Sequence, residues 1–122
     1  ELLNDYVLID DREVDYDLIF TNPPFQRVDP KNMEGSLKVA LLSKIVKQSK
    51  PFIVILNSTN IHSKWFSRVF GDMDIQFIIP TKKVNYDKYE KGGKVKVAQK
   101  KNGCSFNTIF VTRGVIEKNM WI

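Results

Sequence analysis

The residue types with the clearest chemical potential form the tetrapeptide Asn22-Pro23-Pro24-Phe25, which follows a short apolar run at 18–20. Asn22 carries an amide oxygen, and Pro23 contributes a backbone carbonyl from a residue that has no N–H of its own. Two fixed acceptors suit an exocyclic amino group, because such a group has two N–H donors. Phe25 offers an apolar face on which a planar ring can stack. The tetrapeptide therefore predicts a site for an amino group on a planar ring.

The apolar run in front of the tetrapeptide predicts the element that positions it. Leu18, Ile19 and Phe20 are consecutive, which is typical of a strand buried on both faces in a parallel sheet. The two prolines end this strand, because proline cannot donate a ladder hydrogen bond. Ligands of open α/β sheets bind at the carboxyl ends of the strands. An ordinary Asn-Pro turn after a strand is the alternative interpretation.

The next segment predicts a crossover unit. Residues 26–32 are polar and predict a loop, after which Ser36 can cap a helix with apolar residues at helical spacing over 37–46. Pro51 ends the helix, and residues 52–56 are β-branched, aromatic and continuous, which predicts a second buried strand. A strand, a helix and a second strand in this order favour a parallel strand pair.

Further along the chain, Asn60 is positioned to cap a helix over 61–70 that Gly71 would end. Residues 75–79 and 106–112 predict two more strands. Residues 81–104 form a basic segment, predicted to be a hairpin or a loop insertion, and the tail to residue 122 has no recognisable pattern. The 122 residues are expected to form a single domain or part of one.

Residues 17–25 resemble the catalytic (Asp/Asn)-Pro-Pro-(Tyr/Phe) motif of S-adenosylmethionine-dependent amino methyltransferases. The Asn form is common among N6-adenine DNA methyltransferases and also occurs in enzymes that methylate a glutamine side chain of proteins. Residues 58–66, which contain Thr59 and Trp65-Phe66, resemble the helix that carries a Thr and a Trp-Phe pair in phage-type, Dam-like N6-adenine methyltransferases. Residues 75–78 and 105–110 then follow in that family's order. Together these matches favour DNA over protein as the substrate.

The resemblance implies an α/β fold that is part of a Rossmann-like methyltransferase sheet, mostly parallel with an antiparallel last strand. It implies methyl transfer from S-adenosylmethionine to N6 of an adenine flipped out of DNA. The catalytic residues would be Asn22, Pro23, Pro24 and Phe25. Asp5 and Tyr6 lie where the family often has an acidic-aromatic pair that binds the cofactor, with the acid accepting from its adenine amino group. No metal is implied.

One feature of the family is missing from these 122 residues. Such enzymes bind the methionine half of the cofactor with a Phe-x-Gly-x-Gly loop, and the only adjacent glycines here are Gly92 and Gly93, inside the basic segment. The chain is therefore expected to be the catalytic portion of a longer methyltransferase domain, or else to have an incomplete cofactor site. Three alternatives stay open: a protein-glutamine N5 methyltransferase, a non-catalytic nucleic-acid-binding fragment, and a purely structural α/β domain.

Charge is distributed unevenly along the chain, whose net charge is +5. Residues 1–17 hold seven acidic residues and one arginine, whereas residues 81–104 hold eight lysines and two acidic residues. The basic segment is suited to a polyanion, and a solvated basic loop is the alternative. The lysines predicted to contact DNA phosphates are Lys82, Lys83, Lys94, Lys96, Lys100 and Lys101.

The overall composition, with 43% apolar and 27% charged residues, is typical of a globular domain that does not enter a membrane. The longest apolar run, 52–56, is too short to cross a bilayer, and no amino-terminal signal pattern is present. The single cysteine, Cys104, excludes an internal disulfide and favours the reducing cytoplasm. The single histidine, His62, has no cysteine or second histidine with which to bind a metal. The oligomeric state is not predicted.

Overall fold

A computed structural model describes residues 17–23, 27–29, 32–85, 88–90, 95–97 and 107–122. For the short strands at 27–29, 32–36, 88–90 and 95–97 only the backbone is described. In chain order the strands and helices are β1 (Ile19–Thr21), β2 (Arg27–Asp29), β3 (Asn32–Ser36), α1 (Leu37–Lys47), β4 (Phe52–Asn57), a 3₁₀ helix (Ser58–His62), α2 (Lys64–Phe70), β5 (Gln76–Ile79), β6 (Lys88–Glu90), β7 (Val95–Val97), β8 (Thr108–Arg113) and β9 (Met120–Trp121).

The main sheet has five strands in the order β1-β4-β8-β5-β9. β1 is parallel to β4, β8 is antiparallel to both β4 and β5, and β9 is parallel to β5. Four strands therefore run in one direction, and β8 runs against them between β4 and β5. This open mixed sheet confirms the α/β class and is compatible with part of a Rossmann-like fold. β8 is the antiparallel strand predicted near the end of the chain, but the tail after it forms the unpredicted β9.

Two short antiparallel pairs stand apart from the main sheet. β2 pairs with β3, so the described part of the segment predicted to be a loop is a strand pair. β6 pairs with β7 inside the basic segment 81–104. Tyr89 is opposite Lys96 in this pair.

The core lies on one face of the main sheet, beneath α1 and α2. Alternate residues of β4 are fully buried there, since every second side chain of a strand points to the same face. The rings of Phe52 and Phe70 lie 6.1 Å apart, and Phe66 stacks on Phe77 of β5 at 6.3 Å. The buried core residues are Leu41, Leu42, Ile45, Phe52, Val54, Leu56, Phe66, Phe70, Ile109 and Val111.

The prediction that β1 is buried on both faces is wrong for the described structure. Ile19 packs against the core, but Leu18 is 46% exposed and Phe20 is 59% exposed. The reason is positional: among the described strands β1 pairs only with β4, and both described helices cover the face on which Ile19 lies. A continuous apolar run specifies a strand but does not reveal how many of its faces are covered.

The helix predicted over 61–70 begins later than expected. Residues 58–62 form the 3₁₀ helix, and α2 begins only at Lys64, with Ser63 in the extended conformation between them. Asn57, not Asn60, caps the 3₁₀ helix, because its side-chain oxygen accepts from the Thr59 N–H at 3.4 Å. Gly71 is the C-cap of α2, as predicted, and its N–H donates to the Ser67 carbonyl at 2.7 Å.

Within the described parts of the chain, no helix has the length and apolar character needed to span a bilayer.

Candidate active site

β1 presents the first residues of the tetrapeptide at its carboxyl end. Asn22 directly follows the last residue of the strand and is exposed, so its amide is accessible to a ligand. Pro23 is fully buried, which anchors the chain immediately behind Asn22. Pro24 and Phe25, the remaining predicted catalytic residues, lie outside the described residues. The described half of the motif thus combines an accessible amide with a buried anchor.

The parallel register brings the end of β4 next to the tetrapeptide. Thr21, the last residue of β1, is paired with Val54, and Leu56 lies two residues beyond Val54 on β4. β4 extends one residue further, to Asn57. Polar residues that follow β4 therefore lie at the same edge of the sheet as Asn22.

A hydrogen-bonded chain fixes the turn that follows β4. The Asn60 Nδ2 donates to the Asn57 carbonyl at 2.8 Å, and Lys38 Nζ donates to the Asn60 Oδ1, also at 2.8 Å. Asn60 is 8% exposed, so both ends of its amide have partners in a nearly dry environment. These bonds connect the first turn of α1 to the carboxyl end of β4.

Lys38 also lies over an aromatic ring. Its Nζ is 5.2 Å from the centroid of the Trp65 ring, a distance at which the ring attracts a cation. Burial lowers the pKa of Lys38 below its ordinary value, because removing water disfavours the ammonium form. Ionisable groups whose pKa is shifted, and which lie where sheets of this kind bind ligands, are candidates for functional residues. We refer to Lys38, Asn57, Asn60 and Trp65 as the edge cluster.

The first residues of the antiparallel strand β8 lie at the same edge. The Ser58 N–H donates to the Asn107 carbonyl at 2.7 Å, which joins the start of the 3₁₀ helix to the residue before β8. Asn107 itself is exposed. Asn22, Asn57 and Asn107 therefore place amide groups along one edge, a surface rich in hydrogen-bond donors and acceptors.

The basic segment starts from this edge as well. β5 and β4 run in the same direction, since both are antiparallel to β8. The last residue of β5, Ile79, therefore lies at the edge of the sheet that carries Asn22. Lys82 and Lys83 follow shortly after and are exposed. The segment is anchored where it leaves the sheet: the N–H and Oγ1 of Thr81 donate to the Ile122 carbonyl at 2.7 and 2.9 Å.

Other predicted site residues are described only in part or not at all. Lys96 lies in β7, where only its backbone is described. Asp5, Tyr6, Lys94, Lys100 and Lys101 lie outside the described residues. Among the residues that the structure does describe, no group of three histidine, cysteine or acidic side chains could hold a metal ion.

Lys38 is the member of the edge cluster that the sequence pattern did not single out. One signal was present: Lys38 is the second residue of α1, a helix with no acidic residue in its first turn. The amino-terminal end of a helix favours negative charge, so a lysine there is a departure from the usual preference. That departure indicates an unusual environment, although it does not identify the partners Asn60 and Trp65.

No protein-family model and no curated protein matches this chain.

Proposed function

We propose that this chain carries the base-binding and catalytic residues of an S-adenosylmethionine-dependent N6-adenine DNA methyltransferase. The observation that carries the proposal is the placement of Asn22-Pro23 at the carboxyl end of a strand in a parallel pair, with Asn22 exposed and Pro23 buried. That is the position in which open α/β sheets bind their ligands. The tetrapeptide to which these residues belong has the acceptors that an amino group requires.

Asn22 acts on the methyl acceptor. Its amide oxygen and the Pro23 carbonyl each accept an N–H of the adenine N6 amino group, which holds the nitrogen in place and keeps its lone-pair density available. Positioning and electrostatic stabilisation of developing charge are the two contributions that fixed dipoles make to such a reaction. Phe25 stacks on the ring of the base. The base must leave the duplex first, because its amino group is inaccessible in the stack.

S-adenosylmethionine supplies the methyl group when it is bound. The described residues fit the acceptor side of such a site, because Asn22 is exposed at the carboxyl end of β1 and, among the described strands, β1 has a neighbour on one side only. Asp5 and Tyr6 are the residues that would hold the adenosine of the cofactor.

DNA is favoured as the substrate by the basic segment. Its first lysines, Lys82 and Lys83, are exposed beyond β5 at the edge that carries Asn22, so phosphates bound there would lie on the same side of the sheet as the target base. Lysine contacts to phosphates supply affinity without sequence information. The whole proposal thus assigns chemistry to β1 and DNA affinity to the residues after β5.

The test is methyl incorporation by the polypeptide that contains this sequence, using methyl-labelled S-adenosylmethionine with duplex DNA and with protein as competing acceptors. We expect label in N6-methyladenine of the DNA, and its loss in Asn22→Ala. The matched control is Asn107→Ala, which removes another exposed asparagine side chain from the same edge but leaves the backbone carbonyl that Ser58 uses.

Label in glutamine side chains of protein instead of DNA would replace this proposal with the protein-methylating alternative. DNA binding with no label in either acceptor would support the non-catalytic nucleic-acid-binding alternative.

A further inference from the structure

β9 and the residue after it expose two large apolar side chains at the carboxyl edge of the main sheet. Trp121 is 69% exposed and Ile122 is 60% exposed. Trp121 pairs with Ile79, the last residue of β5, which fixes its place at that edge. Exposed apolar residues that occur singly are ordinary, but two adjacent ones form a patch of the kind that binds a partner.

The backbone that carries this patch is held at both ends. The N–H and Oγ1 of Thr81 donate to the Ile122 carbonyl at 2.7 and 2.9 Å, and the Ile122 N–H donates to the Ile79 carbonyl at 3.1 Å. Before the strand, the Asn119 Oδ1 accepts from the Phe77 N–H at 2.8 Å. The exposed indole ring therefore extends from a fixed backbone, and a ligand has to order only its two side-chain torsions.

The chain on both sides of this patch is cationic. Residues 76–85 and 118–122 contain three lysines and no acidic residue. Lys82 and Lys83 directly follow Thr81, the residue that bonds to Ile122, and both are exposed. An exposed aromatic ring beside lysines is the arrangement with which proteins bind single-stranded nucleic acids, because the ring stacks on a base and the cations bind phosphates.

The patch is separate from the tetrapeptide but lies at the same edge. In the described sheet β1 and β9 are the two outer strands, four strand spacings apart, which corresponds to roughly 19 Å at about 4.8 Å per spacing. Both strands run in the same direction. At about 3.4 Å per nucleotide, on the order of six nucleotides of one DNA strand cover this distance.

We propose that Trp121 is a stacking platform for an unpaired base of single-stranded DNA, with Lys82 and Lys83 binding the adjoining phosphates. The inference rests on the proposed function only for the choice of DNA, since stacking requires neither the cofactor nor the tetrapeptide. Because every base has a flat face, the platform accepts any sequence. Base flipping requires local opening of the duplex, and a site that binds unpaired bases favours the opened form.

Intrinsic fluorescence tests the platform directly, because Trp65 and Trp121 are the only tryptophans of the chain. Trp65 is half-buried, and in Trp65→Phe the tryptophan emission comes from Trp121 alone. Titration of this variant of the full chain with oligothymidylate, without cofactor, should quench the emission as bases stack on the ring. The converse variant, Trp121→Phe, should show little quenching, and it decides the question if Trp65→Phe fails to fold.

Affinity over a series of salt concentrations separates stacking from charge. Trp121→Ala should weaken oligothymidylate binding about 5-fold or more and keep the slope of log affinity against log salt, because stacking releases no counterions. Lys82→Gln should lower that slope by about 0.7, the value for one phosphate contact on a single strand. Met120→Ala is the matched control, since it removes a 41% exposed side chain on the opposite face of β9 and should bind like the wild type.

Three results would overturn the proposal. The first is DNA binding that leaves the Trp121 emission unchanged. The second is an equal loss of affinity for a fully paired duplex in Trp121→Ala, because paired bases are not available for stacking. The third is self-association of the wild type in sedimentation that Trp121→Ala abolishes while oligothymidylate affinity stays the same, which would assign the patch to an interface between copies of this chain.

The outcomes for this site and for the proposed function are distinguishable, because no methyl transfer is measured. Quenching of Trp121 by oligothymidylate in a protein that methylates neither DNA nor protein would contradict only the proposed function. Methylation of DNA by a protein whose Trp121 emission is not quenched would contradict only the stacking platform.

Discussion

Asn22 carries the central prediction at the scale of single residues. Its exposed amide is proposed to act on the reacting nitrogen, so its removal should appear in turnover and not in affinity for DNA. Asn22→Ala should reduce the methylation rate by roughly 100-fold or more, the loss typical of removing one preorganised polar group. DNA affinity, measured in the same preparation, should stay within a few-fold.

A variant that kept more than about a tenth of the normal rate would remove Asn22 from the mechanism, because a tenfold change corresponds to only about 1.4 kcal/mol. Phe25→Ala offers a comparison within the same motif. Stacking contributes about 1–3 kcal/mol per base, so this variant should weaken DNA binding and leave measurable turnover.

Lys38 gives a pH-dependent prediction. Its pKa in the folded chain is lowered from an ordinary value of 10.5 by burial, so the unfolded chain binds more protons than the folded chain between the two values. The contribution of Lys38 to the free energy of unfolding therefore rises as the pH increases through that window toward 10.5. Lys38→Met should remove this rise.

The measurement is urea unfolding of the wild type and Lys38→Met at several alkaline pH values, with Lys47→Met as the exposed control. Subtracting the two curves cancels the titration of the other lysines and tyrosines. A difference between wild type and Lys38→Met that does not change with pH would contradict the assignment of a lowered pKa.

At the scale of secondary structure, the carboxyl end of α2 depends on a glycine. Gly71 adopts the right-handed helical conformation, and a Cβ built on it would overlap the carbonyl oxygen of Ser67, with which its own N–H is bonded. Because the overlapping atom belongs to the backbone of Ser67, the last turn of α2 must shift if residue 71 is to carry a side chain. Gly71→Ala should lower the free energy of unfolding by about 1–3 kcal/mol, as for other overpacked positions.

Thermal or urea unfolding measures this loss, and Asp72→Ala, a change at the exposed neighbouring residue, is the control. Equal stability of Gly71→Ala and wild type would show that the turn relaxes without cost. Since α2 carries Phe66 and Phe70 into the core, a large loss would also be seen as reduced cooperativity of unfolding.

The proposed DNA affinity belongs to the scale of the whole molecule, because it would combine the edge of the main sheet with the basic segment. Replacing Lys94, Lys96, Lys100 and Lys101 with glutamine should lower the salt slope by two or more, roughly equally for all DNA sequences, since each phosphate contact contributes about 0.9. If the slope of log affinity against log salt stays the same, the phosphate contacts lie in other parts of the chain, and residues 81–104 are a solvated loop.

Affinity for the cofactor is also a property to be tested on the whole chain. The 122 residues contain no Phe-x-Gly-x-Gly loop, so the chain by itself should show no binding of S-adenosylmethionine at micromolar concentrations in calorimetry. Micromolar affinity would contradict this. In a polypeptide that binds the cofactor, Asp5→Ala should weaken binding by roughly 1–3 kcal/mol, the cost of one lost buried hydrogen bond.

The sequence by itself determined the elements whose signals are local. The apolar runs before the tetrapeptide and at 52–56 became β1 and β4, the helical spacing over 37–46 became α1, and their order predicted the parallel pair that the register shows. Local signals succeed here because strand and helix periodicities depend on neighbouring residues. The tetrapeptide was recognisable for the same reason, since its members are consecutive.

Only the tertiary structure decided what depends on distant pairing and burial. It inserted β8 between β4 and β5, left Phe20 exposed on β1, and gave Asn60 a bond to Lys38, which is 22 residues away, in place of the predicted cap. Strand order and the covering of a sheet face arise from contacts between remote segments, about which a periodic pattern carries no information. The partners of a buried polar side chain are likewise selected by whichever groups the fold brings within hydrogen-bonding distance.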